Sequence, residues 1–344
     1  LAPGIDLKPL LDLMANERVL KVFHAARQDI EIFFQMSGAV PQPLFDTQVA
    51  AMVCGFGDSV GYETLASQLA KARIDKSMRF TDWAMRPLSE KQIQYALADV
   101  THLRVAYEKL VRKVEKNGRI GWLAEEMALL TEPGTYRVDP ENAWKRLKPR
   151  SSSGRFLAVL KELAAWRERE AQERDLPRQR ILRDETLTEI AAHHPVDTNE
   201  LGRTRGIGKG LVEGKMGQAI LETVKRGMAI PEADCPKPAD RVDVPKGLGP
   251  VVDLLKVLLK MKCDEHGVAS KLLANSADID AIAADDNADV PALHGWRREL
   301  FGEDALKLKH GRLGLGFCTD GKRLRMVPID PVDPATVPAL ALAD

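Results

Sequence analysis

Residues 18–54 read RVLKVFHAARQDIEIFFQMSGAVPQPLFDTQVAAMVC. The apolar run at roughly 20–24 is too short for a helix and predicts a buried strand. RQDIEIFFQMSG (27–38) has helical spacing and stops at Gly38, the residue that most easily takes the left-handed turn closing a helix. Pro41 and Pro43 exclude helix, so 44–47 predicts a short strand that runs into a helix over 47–54. Asp46 stands where its carboxylate would accept from the backbone N–H of Gln48 or Val49 and cap that helix. Short strands alternating with helices indicate an α/β layer, one expected to be short of strands on its N-terminal side.

Outward from this stretch the chain becomes helical. Residues 5–15 predict a helix with Asp6 as N-cap. GYETLASQLAKARI (61–74) predicts an amphipathic helix, and 89–118 a long one closed by Gly118. Residues 132–154 form a linker containing Pro133, Gly134, Pro140, Pro149 and an SSSG run. Residues 155–228 are helical throughout. A second proline-rich linker follows, and 247–330 is expected to be helical again. Both helical segments open with a long Leu-rich helix, which points to two copies of one small module, the second diverged.

The chain has 344 residues, with 50 basic and 50 acidic side chains, enough for two or three domains. A hydrophobic fraction of 44% with 29% charged residues is that of a globular protein. No run of about 18 apolar residues exists, which excludes a membrane-spanning helix, and no secretory leader is visible. Cys54, Cys235, Cys263 and Cys318 are far apart, with no CxxC pair. That argues against a cysteine zinc knuckle and suits a reducing cytoplasm. The charge is evenly spread, so any nucleic-acid site must be a local patch.

Five groups of residues could carry chemistry. Tyr95 and Asp99 lie four apart on one predicted helix, so they share a face. A phenol beside a carboxylate can steer a metal-bound water, although such pairs also occur on plain surfaces. Asp29 follows a strand end at the start of a helix, where it lines the usual α/β crevice or simply complements the helix dipole. His24 precedes it and reads as a buried histidine bonded to backbone. In DKSMRFTDWAMRPLS (75–89), Lys76, Arg79 and Arg86 interleave with Phe80 and Trp83. Cations for phosphates and aromatic faces for bases are what a single strand needs. RTRGIGKGL (203–211) sets Arg203, Arg205 and Lys209 among three glycines, a turn that could hold a phosphate or merely join two helices.

Taken in order, HAARQD, FDTQVAA, GYETLA and DKSMRFTDWAMRPLSEKQIQYALADVTHL resemble bacterial ribonuclease D. That family belongs to the DEDD 3′-to-5′ exonucleases with a tyrosine in the last motif. WREREAQERDLPRQRILRDETLTEIA (166–191) resembles the HRDC module, and 245–327 is similar to the second, diverged copy. The resemblance implies an α/β ribonuclease H-like exonuclease domain, N-terminally incomplete, over 1–131. It implies a linker over 132–154 and an HRDC domain over 155–229. A linker over 230–246, a second HRDC-like helical domain over 247–330 and a tail over 331–344 complete the organisation. It also implies trimming of RNA 3′ ends, tRNA precursors first, by a monomeric enzyme using two Mg²⁺ or Mn²⁺ ions. Asp29 matches the aspartate of the HAxxxD motif, and Tyr95 and Asp99 match the tyrosine and aspartate of the last motif. Asp29 and Asp99 would hold metal while Tyr95 orients the attacking water. His24, Lys76, Arg79, Trp83, Arg86, Arg203, Arg205 and Lys209 would contact nucleic acid.

The family's first motif, DxE, supplies two further carboxylates. Only 28 residues precede Asp29, and none of them forms a DxE. The expectation is a fragment of an exonuclease with half its metal cage, whose helical modules fold well and whose N-terminal part folds badly. The alternative is an RNA- or DNA-binding protein without catalysis.

Overall fold

The computed structural model describes residues 4–75, 77–137, 139–147, 151–237, 245 and 247–330. The chain divides into two compact units, one from Leu1–Tyr136 with Val242–Asp344 and one from Arg137–Arg241.

The first unit opens with α1 (Lys8–Ala15). Its N-cap is Leu7, and Asp6 accepts from Lys8 N at 2.9 Å, one position earlier than a cap requires. β1 (Lys21–Phe23), α2 (Arg27–Ser37) and β2 (Leu44–Asp46) make a βαβ unit with the strands parallel, Phe23 opposite Asp46. α3 (Thr47–Val53) follows without a break. α4 (Tyr62–Ala70) is shorter than its periodicity suggests because Lys71 turns left-handed (φ 56°). α5 (Glu90–Lys116) starts at a reciprocal cap between Ser89 and Gln92. α6 (Ile120–Leu130) completes the N-terminal part.

The second unit is helical: α7 (Gly154–Glu173), α8 (Arg178–Ile181), α9 (Asp184–His193), α10 (Thr198–Leu201), α11 (Lys209–Val212) and α12 (Lys215–Ala229). Leu157, Leu160, Leu163 and Leu187 are buried in its core. α12 lies so close to α7 that a Cβ on Gly227 would meet Val159 Cα at 2.7 Å. Buried Arg167 donates to Leu182 O at 2.8 Å and to the Asp184 carboxylate at 2.6 Å, which pins the turn between α8 and α9.

The chain then rejoins the first unit as α13 (Gly249–His266), α14 (Ser270–Leu273), α15 (Ser276–Ala284) and α16 (Gly295–Arg297). A π turn leads on to α17 (Glu303–Lys309). The order long helix, four-residue helix, medium helix repeats that of α7 to α9. Both short helices end at a residue with φ −158°, Leu182 in one and Ala274 in the other. The expectation of helix throughout 247–330 needs correction, because β3 (Leu313–Phe317) and β4 (Leu324–Pro328) form an antiparallel hairpin. Residues 331–344, the expected tail, lie outside the described residues.

Residues 252–305 share one core with residues of β2, α3, α4, α5 and α6. Leu110 of α5 and Leu255 of α13 are fully buried in it, and Trp122 stacks on Trp296 at 4.2 Å. Arg119 donates to Val53 O, His266 O and Gly267 O. Gly55 (φ 78°) passes so near residue 267 that a Cβ there would stand 2.5 Å from Gly267 O. Arg297 pairs with Glu126 and donates to Leu272 O at 2.6 Å.

Candidate active site

The ends of β1 and β2 set the site. Asp46, 1% exposed, caps α3 by accepting from Gln48 N at 2.7 Å and Val49 N at 3.3 Å. The same carboxylate accepts from Ala25 N at 3.1 Å and Ala26 N at 2.7 Å. Ala25 has φ 58°, a conformation that costs a residue with a Cβ about 1–2 kcal/mol. The two bonds to Asp46 hold it there. They fix the turn that carries His24 on one side and Asp29, in the first turn of α2, on the other.

Thr47 Oγ1 donates to Phe23 O at 2.9 Å and lies 3.0 Å from His24 Nδ1. The threonine proton is committed to the carbonyl, so Thr47 Oγ1 faces His24 Nδ1 as an acceptor. Burial holds the His24 pKa below its ordinary value, against the pull of Asp46, which keeps the ring neutral near pH 7. The sequence suggested a backbone partner for this ring; the Val60 backbone acts on it in that way, and the Thr47 hydroxyl is a further partner from a side chain. Nε2 is buried with no partner at hydrogen-bond geometry, and the His24 residue borders a cleft of about 540 Å³.

Tyr95 and Asp99 line that cleft from α5, joined by His24, Tyr62, Glu63 and Arg79. Tyr62 packs its ring 5.6 Å from that of His24 and donates its hydroxyl to Ala98 O (2.9 Å) and Asp99 O (2.8 Å). Burial, with the Asp99 charge, pushes its phenol up to about 12. Tyr62 therefore ties the His24 turn to the helix that carries Asp99. Tyr62 lies in GYETLA, where no local sequence rule singles out a tyrosine for this role.

Asp99 is half-buried, and desolvation raises its pKa while His102 opposes the rise. Asp29 is also raised, by desolvation and then by the charge of Asp46. Asp29 is exposed and is not part of the cleft lining. Two carboxylates whose charge is disfavoured in the absence of a cation offer the hard oxygen ligands that Mg²⁺ and Mn²⁺ take. Among the described residues, no three His, Cys, Asp or Glu side chains converge as a metal cage.

The 77–89 loop reaches the cleft at Arg79. Trp83 lies 5.8 Å from the Tyr95 ring. The Arg79 guanidinium stands 5.2 Å over Phe80, which is 91% exposed. Arg86 turns back on its own loop, donating to Trp83 O and Met85 O. Lys76 lies outside the described residues. Arg203, Arg205 and Lys209 are exposed in the second unit, where Arg205 N donates to Glu189 at 3.1 Å.

Residues 3–115 match the family model described as 3′-5′ exonuclease, and 156–224 match the HRDC domain. The chain is 52% identical over 328 residues to ribonuclease D of Granulibacter bethesdensis, covering 95% of this chain and 82% of that one. It is also 52% identical over 328 residues to ribonuclease D of Acidiphilium cryptum, with 95% and 83% covered. The crystal structure of Escherichia coli RNase D, described as an exoribonuclease involved in structured RNA processing, superposes with a TM-score of 0.74 at 30% identity. That match covers 89% of this chain and 84% of the other.

Proposed function

The chain belongs to the ribonuclease D family, 3′-to-5′ exoribonucleases with a ribonuclease H-like nuclease domain followed by an HRDC domain, and from that premise we propose that the cleft between β1, α4 and α5 is its active site. The observation that supports this reading is the convergence of Tyr95, Asp99, His24 and Arg79 on one cleft. The family acts with divalent metal on RNA. In our reading Asp29 and Asp99 hold Mg²⁺ or Mn²⁺, and the Tyr95 hydroxyl orients the attacking water. A bound pair of such ions supplies Lewis acidity at the attacking and leaving oxygens of an in-line displacement. His24 contacts the terminal nucleotide from the cleft wall. Arg79 and Lys76 neutralise phosphates, and Trp83 offers a face to a base. Arg86 shapes the loop that presents them. Arg203, Arg205 and Lys209 of the HRDC domain hold phosphates further along the substrate. Structured RNA with tRNA precursors foremost, a monomeric state and a cytoplasmic place complete the proposal. No helix among the described residues is long and apolar enough to cross a membrane.

The test uses a 5′-labelled RNA hairpin with a single-stranded 3′ tail and saturating Mn²⁺. The tail is expected to shorten stepwise from its 3′ end, and Asp99→Asn to slow this at least a hundredfold. Tight binding without shortening would favour the second reading, an RNA-binding protein without catalysis.

A further inference from the structure

The first unit has a second large hollow, built from a part of the chain that the active site does not use. It measures about 860 Å³ and runs between α13 and β4. Val257 and Met261 border it on the helix side, and Leu324 and Met326 on the strand side. Lys260, Lys322, Arg323 and Arg325 stand on it, against Asp264 and Glu265. Arg323 is held by Asp320 at 2.8 Å. Lys260, Lys322 and Arg325 are exposed and have no ion pair among the described residues. Phe317 ends β3 opposite Leu324 and is 70% exposed.

A cleft of about 540 Å³ takes the end of a strand, not a folded RNA. An enzyme that trims structured RNA must grip the remainder elsewhere. We propose that the groove between α13 and the β3–β4 hairpin is a second RNA-binding site, with phosphates held by Lys260, Lys322 and Arg325 and one unpaired base stacked on Phe317. Three unpaired cations around an apolar floor suit a phosphate chain whose bases face inward. An acidic peptide could use the same cations, but the open aromatic face beside them is what a base stack needs. The inference rests on the reading of the chain as an RNA-trimming enzyme, yet its test reads binding and not cleavage.

The experiment uses the full chain in EDTA and measures fluorescence anisotropy of two labelled RNAs, a hairpin with a single-stranded 3′ tail and a blunt duplex. In the triple variant K260E/K322E/R325E the Kd for the tailed hairpin is expected to rise at least tenfold at 0.1 M salt. The slope of log K against log salt should fall by about 2, because each single-strand phosphate contact contributes about 0.7. Phe317→Ala should weaken the tailed hairpin about tenfold and leave the duplex unchanged. All four side chains are exposed, so an unchanged urea midpoint confirms that each variant is folded. Wild-type binding with an unchanged Kd and slope in the triple variant overturns this site alone. A wild-type chain that binds neither RNA overturns both this site and the RNA-trimming reading. Loss of binding to a polyglutamate probe in the triple variant, with no effect of Phe317→Ala on RNA, would assign the groove to an acidic protein partner instead.

Discussion

Asp46 and Tyr62 show how much of this site single residues carry. Asp46 was legible as a cap, since its partners at Gln48 and Val49 follow from spacing alone. Its bonds to Ala25 and Ala26 were not, because they exist only once β1 lies beside β2 with Phe23 opposite Asp46. Asp46→Ala leaves N–H groups at two helix starts without an acceptor and should cost about 3 kcal/mol in urea unfolding. Asp46→Asn still accepts on one side but turns an amide N–H₂ toward a donor, so it should fall between the two. Equal stability of the Asn variant and wild type would show that the bond to Ala26 contributes nothing. Tyr62→Phe removes only the hydroxyl that reaches the carbonyls of Ala98 and Asp99. It should cost about 1 kcal/mol of stability. If Tyr62 positions Asp99, the variant also lowers kcat for RNA shortening with KM unchanged, whereas a purely structural tyrosine would leave kcat alone.

At the scale of elements, what the sequence shows depends on whether the determining contacts are local. The helices of the HRDC region and α5 announce themselves by apolar period and caps, and they stand close to where the periodicity puts them. The β3–β4 hairpin does not, because LGLGF alternates with glycine and so lacks the β-branched pattern that marks a strand. The joint between α13 and α17 was equally hidden. It is an ion pair between Lys262 and Asp304 at 2.6 Å, both largely buried. Burial alone would raise the Asp304 carboxyl, but the bonds from Lys262 and Lys307 prevail and hold it below the ordinary carboxylate range. The folded pKa is thus depressed, so the stabilisation is complete above the unfolded value of 3.8 and is lost as pH falls through the folded one. Asp304→Asn strands a buried lysine and should cost about 3 kcal/mol at pH 7. The gap between variant and wild type should narrow below about pH 4. A gap of constant size from pH 7 to pH 3 would show that the pair does not titrate with folding.

For the whole molecule, the sequence suggests three successive regions, and the structure joins the first and third in one core. The contacts responsible link residue 55 with 267 and residue 119 with 266, and no local pattern could announce pairs so distant in the chain. β1 and β2 pair as two parallel strands, and Val252, Leu255, Leu258, Trp296 and Phe301 are buried in the same core as residues of α3 and α5. Burying each of those side chains contributes about 1.5–3 kcal/mol. Together they approach or exceed the net stability of about 5–15 kcal/mol typical of a domain. A chain ending at residue 241 should therefore lose cooperative unfolding of 4–136, which then becomes sensitive to trypsin. Residues 137–241 have a core of their own and should still unfold in a single urea transition. In the full chain, 4–136 should resist digestion longer than in the shortened one. If both chains yield the same resistant N-terminal fragment at the same rate, the C-terminal helices are an appended module and not part of the nuclease core.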